Sequence, residues 1–124
     1  MSREFELVKQ FEHAGRKCAV VKVDFSWSSL QPNGPSHNGY VEVFNNELKN
    51  NYNDYEISGQ ELTFNGSLAN FGINGRFVGF DTLHYYNTEH PHTQTLEHVE
   101  CETRKIAEEL NKLFSVGSAP AGEI

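Results

Sequence analysis

The 124-residue chain is long enough for one domain with a hydrophobic core and too short for two. With 37% hydrophobic and 22% charged residues it reads as globular, not disordered, and a net charge of −7 argues against non-specific nucleic-acid binding, which needs a basic face. Its longest purely apolar run, Ala19-Val20-Val21, cannot span a membrane, and the opening MSREFELVKQ lacks the apolar core of a secretory signal, which points to the cytosol.

Phe5, Leu7 and Phe11 predict a strand over 4–12, and His13-Ala14-Gly15-Arg16 supplies a turn. KCAVVKVDF at 17–25 is β-branched and ends at Asp24, so it predicts a second strand and, with the first, a hairpin. Residues 26–38 predict a loop, because Pro32, Gly34 and Pro35 cannot continue a ladder. GYVEVF at 39–44 alternates as a short strand does. Residues 45–56 are polar and asparagine-rich; they predict a surface loop or one helical turn, carrying Tyr52 and Tyr55. QELTFNGSL at 60–68 predicts a strand with a turn at Asn65-Gly66. ANFGINGR predicts another turn, and RFVGFDTLHYY at 76–86 the last strand.

One segment is strongly helical. Leu96, Val99, Thr103, Ile106, Leu110 and Leu113 form a continuous stripe, with Thr93 or Thr95 as N-cap and an end near Phe114. The opposite face carries Glu97, Glu100, Arg104, Glu108 and Lys112. Its Glu100–Arg104 and Glu108–Lys112 pairs are each worth about 0.2–0.5 kcal/mol. The stripe must be buried, and a sheet supplies the face. The predicted fold is α+β: an antiparallel sheet of about five strands with one long C-terminal amphipathic helix packed on it. Residues 1–114 form the single domain and 115–124 a flexible tail.

Candidate chemistry lies in a few places. Asp81 and His84 could pair as an acid and an imidazole, but on a flat strand an offset of three puts them on opposite faces. They converge only if the strand ends or bulges between them; otherwise they are solvated strand-end groups. His84, His90, His92 and His98, with Asp81 and Cys101 near in sequence, match no known zinc spacing, so no metal is expected. Trp27, Tyr40, Tyr52, Tyr55, Phe77, Tyr85 and Tyr86 near arginines could stack a base, or could pack a core. Cys18 and Cys101 read as buried reduced thiols. Phosphate loops, dinucleotide fingerprints, nucleophile elbows and CxxC pairs are absent from the sequence, so no cofactor and no catalytic group is assigned.

EHAGRKCAVVKV, GYVEV, ELTFNGSL, RFVGFDTLHYYN and VECETRKIAEEL follow one another over residues 12–113. In order and rough spacing they resemble a family of small tailed-phage proteins with H-x-G-x-x-C, G-Y-V, G-L-T-[FY], W-W-x-G-F-D-C-x-H and E-x-x-x-L-A-x-Q-L blocks. His13, Gly15, Cys18, Gly39, Tyr40, Gly79, Asp81 and His84 fall on motif positions. The chain departs from the pattern at Arg76-Phe77, where two tryptophans are usual, at Thr82, which replaces the motif cysteine, and before ELTF, where a histidine-glycine is missing.

The layout also resembles the anti-Thoeris sponges of phages, which hold cyclic ADP-ribose isomers or cyclic oligonucleotides between protomers. The resemblance implies a homo-oligomeric counter-defence protein in the host cytoplasm that sequesters a nucleotide immune signal without cleaving it. Arg76 and Arg104 would then pair phosphates and Phe77 or Tyr86 would stack the base. Asp81 or Asn87 would read ribose hydroxyls, and His84 would lie in the pocket floor. The alternative is a protein-binding inhibitor of a host defence enzyme, an anti-CRISPR or anti-restriction factor working through the acidic helix face. A small hydrolase using Asp81 and His84 is the third reading.

Overall fold

A computed structural model describes residues 4–25, 29, 31–44, 47–48 and 56–123, with side chains as far as Phe114. Trp27, Tyr52 and Tyr55 lie outside the described residues. Strands β1 (Phe5–His13) and β2 (Arg16–Val23) form the expected hairpin. Its two-residue turn puts both Ala14 (φ 55°) and Gly15 (φ 80°) in the left-handed region, which matches the twist of the flanking strands. The register slips between Leu7 and Lys9. This bulge reverses the alternation, so Leu7 faces one side of the sheet while Lys9, Phe11 and His13 face the other.

Strand β3 (Ser36–Val43) begins three residues before the expected start at Gly39. Ser36, His37 and Asn38 contain nothing that blocks a ladder and pair with Val23, Lys22 and Val21. A small hairpin of β4 (Glu56–Ile57) and β5 (Gln60–Glu61) precedes β6 (Phe64–Leu68). The expected turn at Asn65-Gly66 is instead strand, paired with Val78 and Phe77. The Asn65 side chain donates to the Leu48 carbonyl and accepts from Arg76. The chain reverses later, through a 3₁₀ turn at Ala69–Phe71.

Strand β7 (Ile73–Phe80) stops at Phe80, six residues before the predicted end. Helix α1 (Tyr85–Glu89), a 3₁₀ turn at Pro91–Gln94 and helix α2 (Leu96–Glu123) complete the chain. Helix α2 thus continues beyond Phe114, where the apolar stripe ends. The five-stranded sheet runs β1-β2-β3-β7-β6, antiparallel throughout, with β4–β5 as a separate pair. The architecture is α+β, as the patterning predicted. Among the described residues no helix is long and apolar enough to cross a membrane.

Helix α2 covers one sheet face. Val99, Ile106, Ala107 and Leu110 pack on Cys18, Val20, Val41, Val43, Val78 and Phe80. Thr103 belongs to the same stripe and is fully buried, its hydroxyl bonded to the Val99 carbonyl. Leu113, expected to continue the stripe, is 44% exposed. The opposite sheet face carries a second cluster of Ala19, Val21, Tyr40, Leu68, Ile73 and Phe77. Two glycines permit this double packing. A β-carbon at Gly39 would collide with the Thr103 hydroxyl and the Phe80 ring, and one at Gly79 with the Tyr40 ring.

Candidate functional site

Because β7 ends at Phe80, Asp81 and His84 lie on a turn and their side chains meet. His84 Nε2 stands 3.4 Å from Asp81 Oδ1. The carboxylate is already engaged: Oδ1 accepts the Leu83 N–H at 3.0 Å and Oδ2 the Thr63 hydroxyl at 3.0 Å. Asp81 therefore fixes the turn and ties it to the start of β6. His84 then opens α1, where Asn87 Oδ1 accepts its backbone N–H at 3.1 Å. Asn87 Nδ2 donates to Thr93 Oγ1 at 2.9 Å, and Thr93 donates to the His90 carbonyl at 2.7 Å. This buried chain of bonds sets the course from α1 into α2. Thr95 is the cap of α2, accepting the His98 N–H at 3.2 Å.

The consequence is a cleft of about 590 Å³. Glu56, Gly59, Gln60 and Glu61 of the β4–β5 hairpin form one wall. His84, Tyr86 and Asn87 form a second, and His92 and Thr93 with His98 and Glu102 of α2 close it. His98 and Glu102 are four apart, so the helix presents them together. Glu102 is only 8% exposed; it accepts from Gln60 Nε2 at 3.3 Å and from Lys105 Nζ at 3.2 Å.

Aromatic rings run along this edge. Tyr86 and His90 stack at 4.2 Å and 20°, while His90–His92 and His92–His98 meet edge to face at 6.3 and 5.5 Å. Tyr85 and Tyr86 are 80% and 59% exposed. The histidines come together as rings, not as a chelate: among the described residues no three metal-binding groups share a site.

Of the seven residues expected around one ligand, His84, Tyr86 and Asn87 line the cleft and Asp81 stands behind His84. The other three do not join them. Phe77 is fully buried in the second core cluster, so it cannot stack a ligand. Arg76 bonds Asn65 Oδ1 at 3.1 Å and the Glu47 carbonyl at 2.6 Å. Arg104 lies over the Phe11 ring of β1, at the far edge of the sheet, bonded to Glu100 and His13. Sequence reasoning missed Glu56, Gln60, Glu61 and Glu102. The spacing of Glu102 from His98 was the one signal available for any of them.

The acidic face of α2 is also more committed than its sequence suggests. Glu100 is held by Lys9 at 2.9 Å and by Arg104 at 2.7 Å, as the predicted pairing required. Glu108 reaches His13 at 2.6 Å. Arg16 is a buried charge, which grips Glu47 through two bonds of 2.7 and 3.0 Å and also bonds the Glu42 carbonyl and Asn111. Comparison of the chain with family models, with curated proteins and with solved structures returned no match.

Proposed function

We propose that this chain is a non-catalytic binding protein that captures a small nucleotide-derived signal in the cleft between the β4–β5 hairpin, α1 and α2. In this reading it acts as a phage counter-defence factor in the host cytoplasm. The observation that carries the reading is the cleft itself. Three of the sequence blocks on which the family resemblance rests, ELTFNGSL, RFVGFDTLHYYN and VECETRKIAEEL, are separated along the chain, yet Glu61, His84 and Glu102 from them line one hollow. Exposed rings beside convergent polar groups suit a flat, hydroxylated ligand.

Asp81 also holds the Leu83 N–H and the Thr63 hydroxyl, so its pairing with His84 serves to anchor the turn, and the reading taken here is sequestration, not turnover. Strand β1 is outermost in the sheet, and its edge offers a route to the homo-oligomer that this reading includes.

Native mass spectrometry with cyclic nucleotides and ADP-ribose isomers tests the proposal. Intact ligand mass on an oligomer, one per cleft, is the expected result. Absence of binding across the panel overturns it, and release of a cleaved product would make the chain an enzyme.

A further inference from the structure

We infer that the cleft receives the base end of the ligand, an amine-bearing ring, and leaves its phosphates outside. The inference rests on the nucleotide reading above and adds which part of the molecule enters. Glu56, Glu61 and Glu102 line the cleft, and among the described residues no lysine or arginine lines it. The neighbouring cation, Lys105, is tied to Glu102. Arg16, Arg76 and Arg104 are all engaged elsewhere. Among the described residues, a phosphate placed here would meet three carboxylates and a single nearby cation, Lys105, which Glu102 already holds.

An exocyclic amine fits the same groups. A carboxylate accepts from such an amine, as glutamate does from cytosine N4. Glu102 is buried and held in place by Gln60 and Lys105, so its acceptor geometry is set before a ligand arrives. Tyr86, with one face occupied by His90 and more than half its surface open, provides the stacking platform. The exposed Glu56 and Glu61 then act as a rim that rejects anions.

The test is calorimetric titration of the unaltered protein with adenosine, inosine and AMP at pH 8 and low salt. Adenosine should bind most tightly. Inosine, which presents a carbonyl where adenosine has its amine, should bind about tenfold more weakly or worse. AMP should lose about threefold for each carboxylate its phosphate approaches. A Glu56→Gln/Glu61→Gln variant should narrow the gap between AMP and adenosine, since both positions are exposed and the folded core does not depend on them. AMP binding more tightly than adenosine, or inosine matching it, overturns the inference and leaves the nucleotide reading standing. If neither nucleosides nor any of the nucleotide panel bind, the nucleotide reading itself falls and takes this inference with it.

Discussion

Arg104 donates from Nη1 to Nδ1 of His13 across 3.1 Å, and this bond fixes the rest of their cluster. Arginine has no acceptor, so Nδ1 must carry the lone pair and Nε2 the proton. Nε2 then donates to Glu108 at 2.6 Å. Arg104 also lies 4.4 Å above the Phe11 ring and holds Glu100, which Lys9 grips from β1. The β1 bulge is what turns Lys9, Phe11 and His13 toward α2 together. The cluster fastens the edge strand to the helix.

Replacing Arg104 with alanine should therefore lower stability by about 1–2 kcal/mol, through the lost ring contact and ion pair. Urea unfolding measures that. Ligand affinity at the cleft should stay within about twofold, because Arg104 stands on another part of the molecule. A large loss of affinity with little change in stability would restore Arg104 as a phosphate anchor.

The Arg16–Glu47 pair carries more weight. Arg16 is 2% exposed and is the only described cation so deeply buried. Deleting its partner with Glu47→Ala leaves a buried charge uncompensated, which costs about 3–5 kcal/mol. The midpoint of chemical denaturation should fall accordingly. A change under 1 kcal/mol would mean that the Glu42 carbonyl and Asn111 suffice to hold the guanidinium.

Gly39→Ala and Gly79→Ala should each destabilise by about 1–3 kcal/mol, the usual cost of overpacking. At Gly39 the new methyl meets Thr103 and Phe80, and at Gly79 it meets the Tyr40 ring. Thr103→Ala should recover part of the Gly39→Ala loss, because it removes the atom in the way, and a double-mutant cycle reads the coupling.

These contacts also show what the sequence could reveal. Helix α2 was legible from Leu96, Val99, Ile106 and Leu110, because one face is buried and the other solvated, and that contrast is written in the period. The β1–β2 hairpin was legible from Ala14-Gly15. The end of β7 was not, since Asp81-Thr82-Leu83-His84 lacks a glycine or proline to mark the break. The turn that follows the strand is held by side-chain bonds of Asp81, one local, to the Leu83 N–H, and one to Thr63, eighteen residues away. Phe77 shows the opposite error: an aromatic beside an arginine suggests a ligand platform, but the second apolar sheet face claims it. Glu102 was hidden because a glutamate in a helix reads as solvated until the β4–β5 hairpin closes over it.

The two cysteines should separate chemically. Burial pushes the Cys18 thiol up to about 12, only partly offset by Arg104 and other groups, whereas Cys101 is exposed, contrary to the expectation of two buried thiols. At pH 8 the Cys18 thiolate fraction is on the order of 10⁻⁴. Ellman's reagent should titrate one thiol quickly in the native protein and the second only after denaturant is added. Cys101→Ser should abolish the fast phase, and two fast thiols would contradict the buried environment of Cys18.

Acid should loosen the structure through two carboxylates. Burial alone would raise Glu47, but the Arg16 fork and the Phe44 N–H outweigh it, so its carboxyl sits below the usual range. Glu100 is also lowered, first by Lys9 and then by Arg104. A carboxyl whose folded value lies below its unfolded one lends stability that is complete above the unfolded value and disappears as pH falls through the folded one. The melting temperature should therefore hold between about pH 8 and 5.5 and drop below about pH 4.5. A Glu47→Gln/Glu100→Gln variant should start lower at pH 7 and lose less on acidification, because it has fewer depressed carboxyls to protonate. If the variant and the parent fall in parallel, the acid sensitivity belongs to other groups, and Glu47 and Glu100 are not where protons enter the folded state.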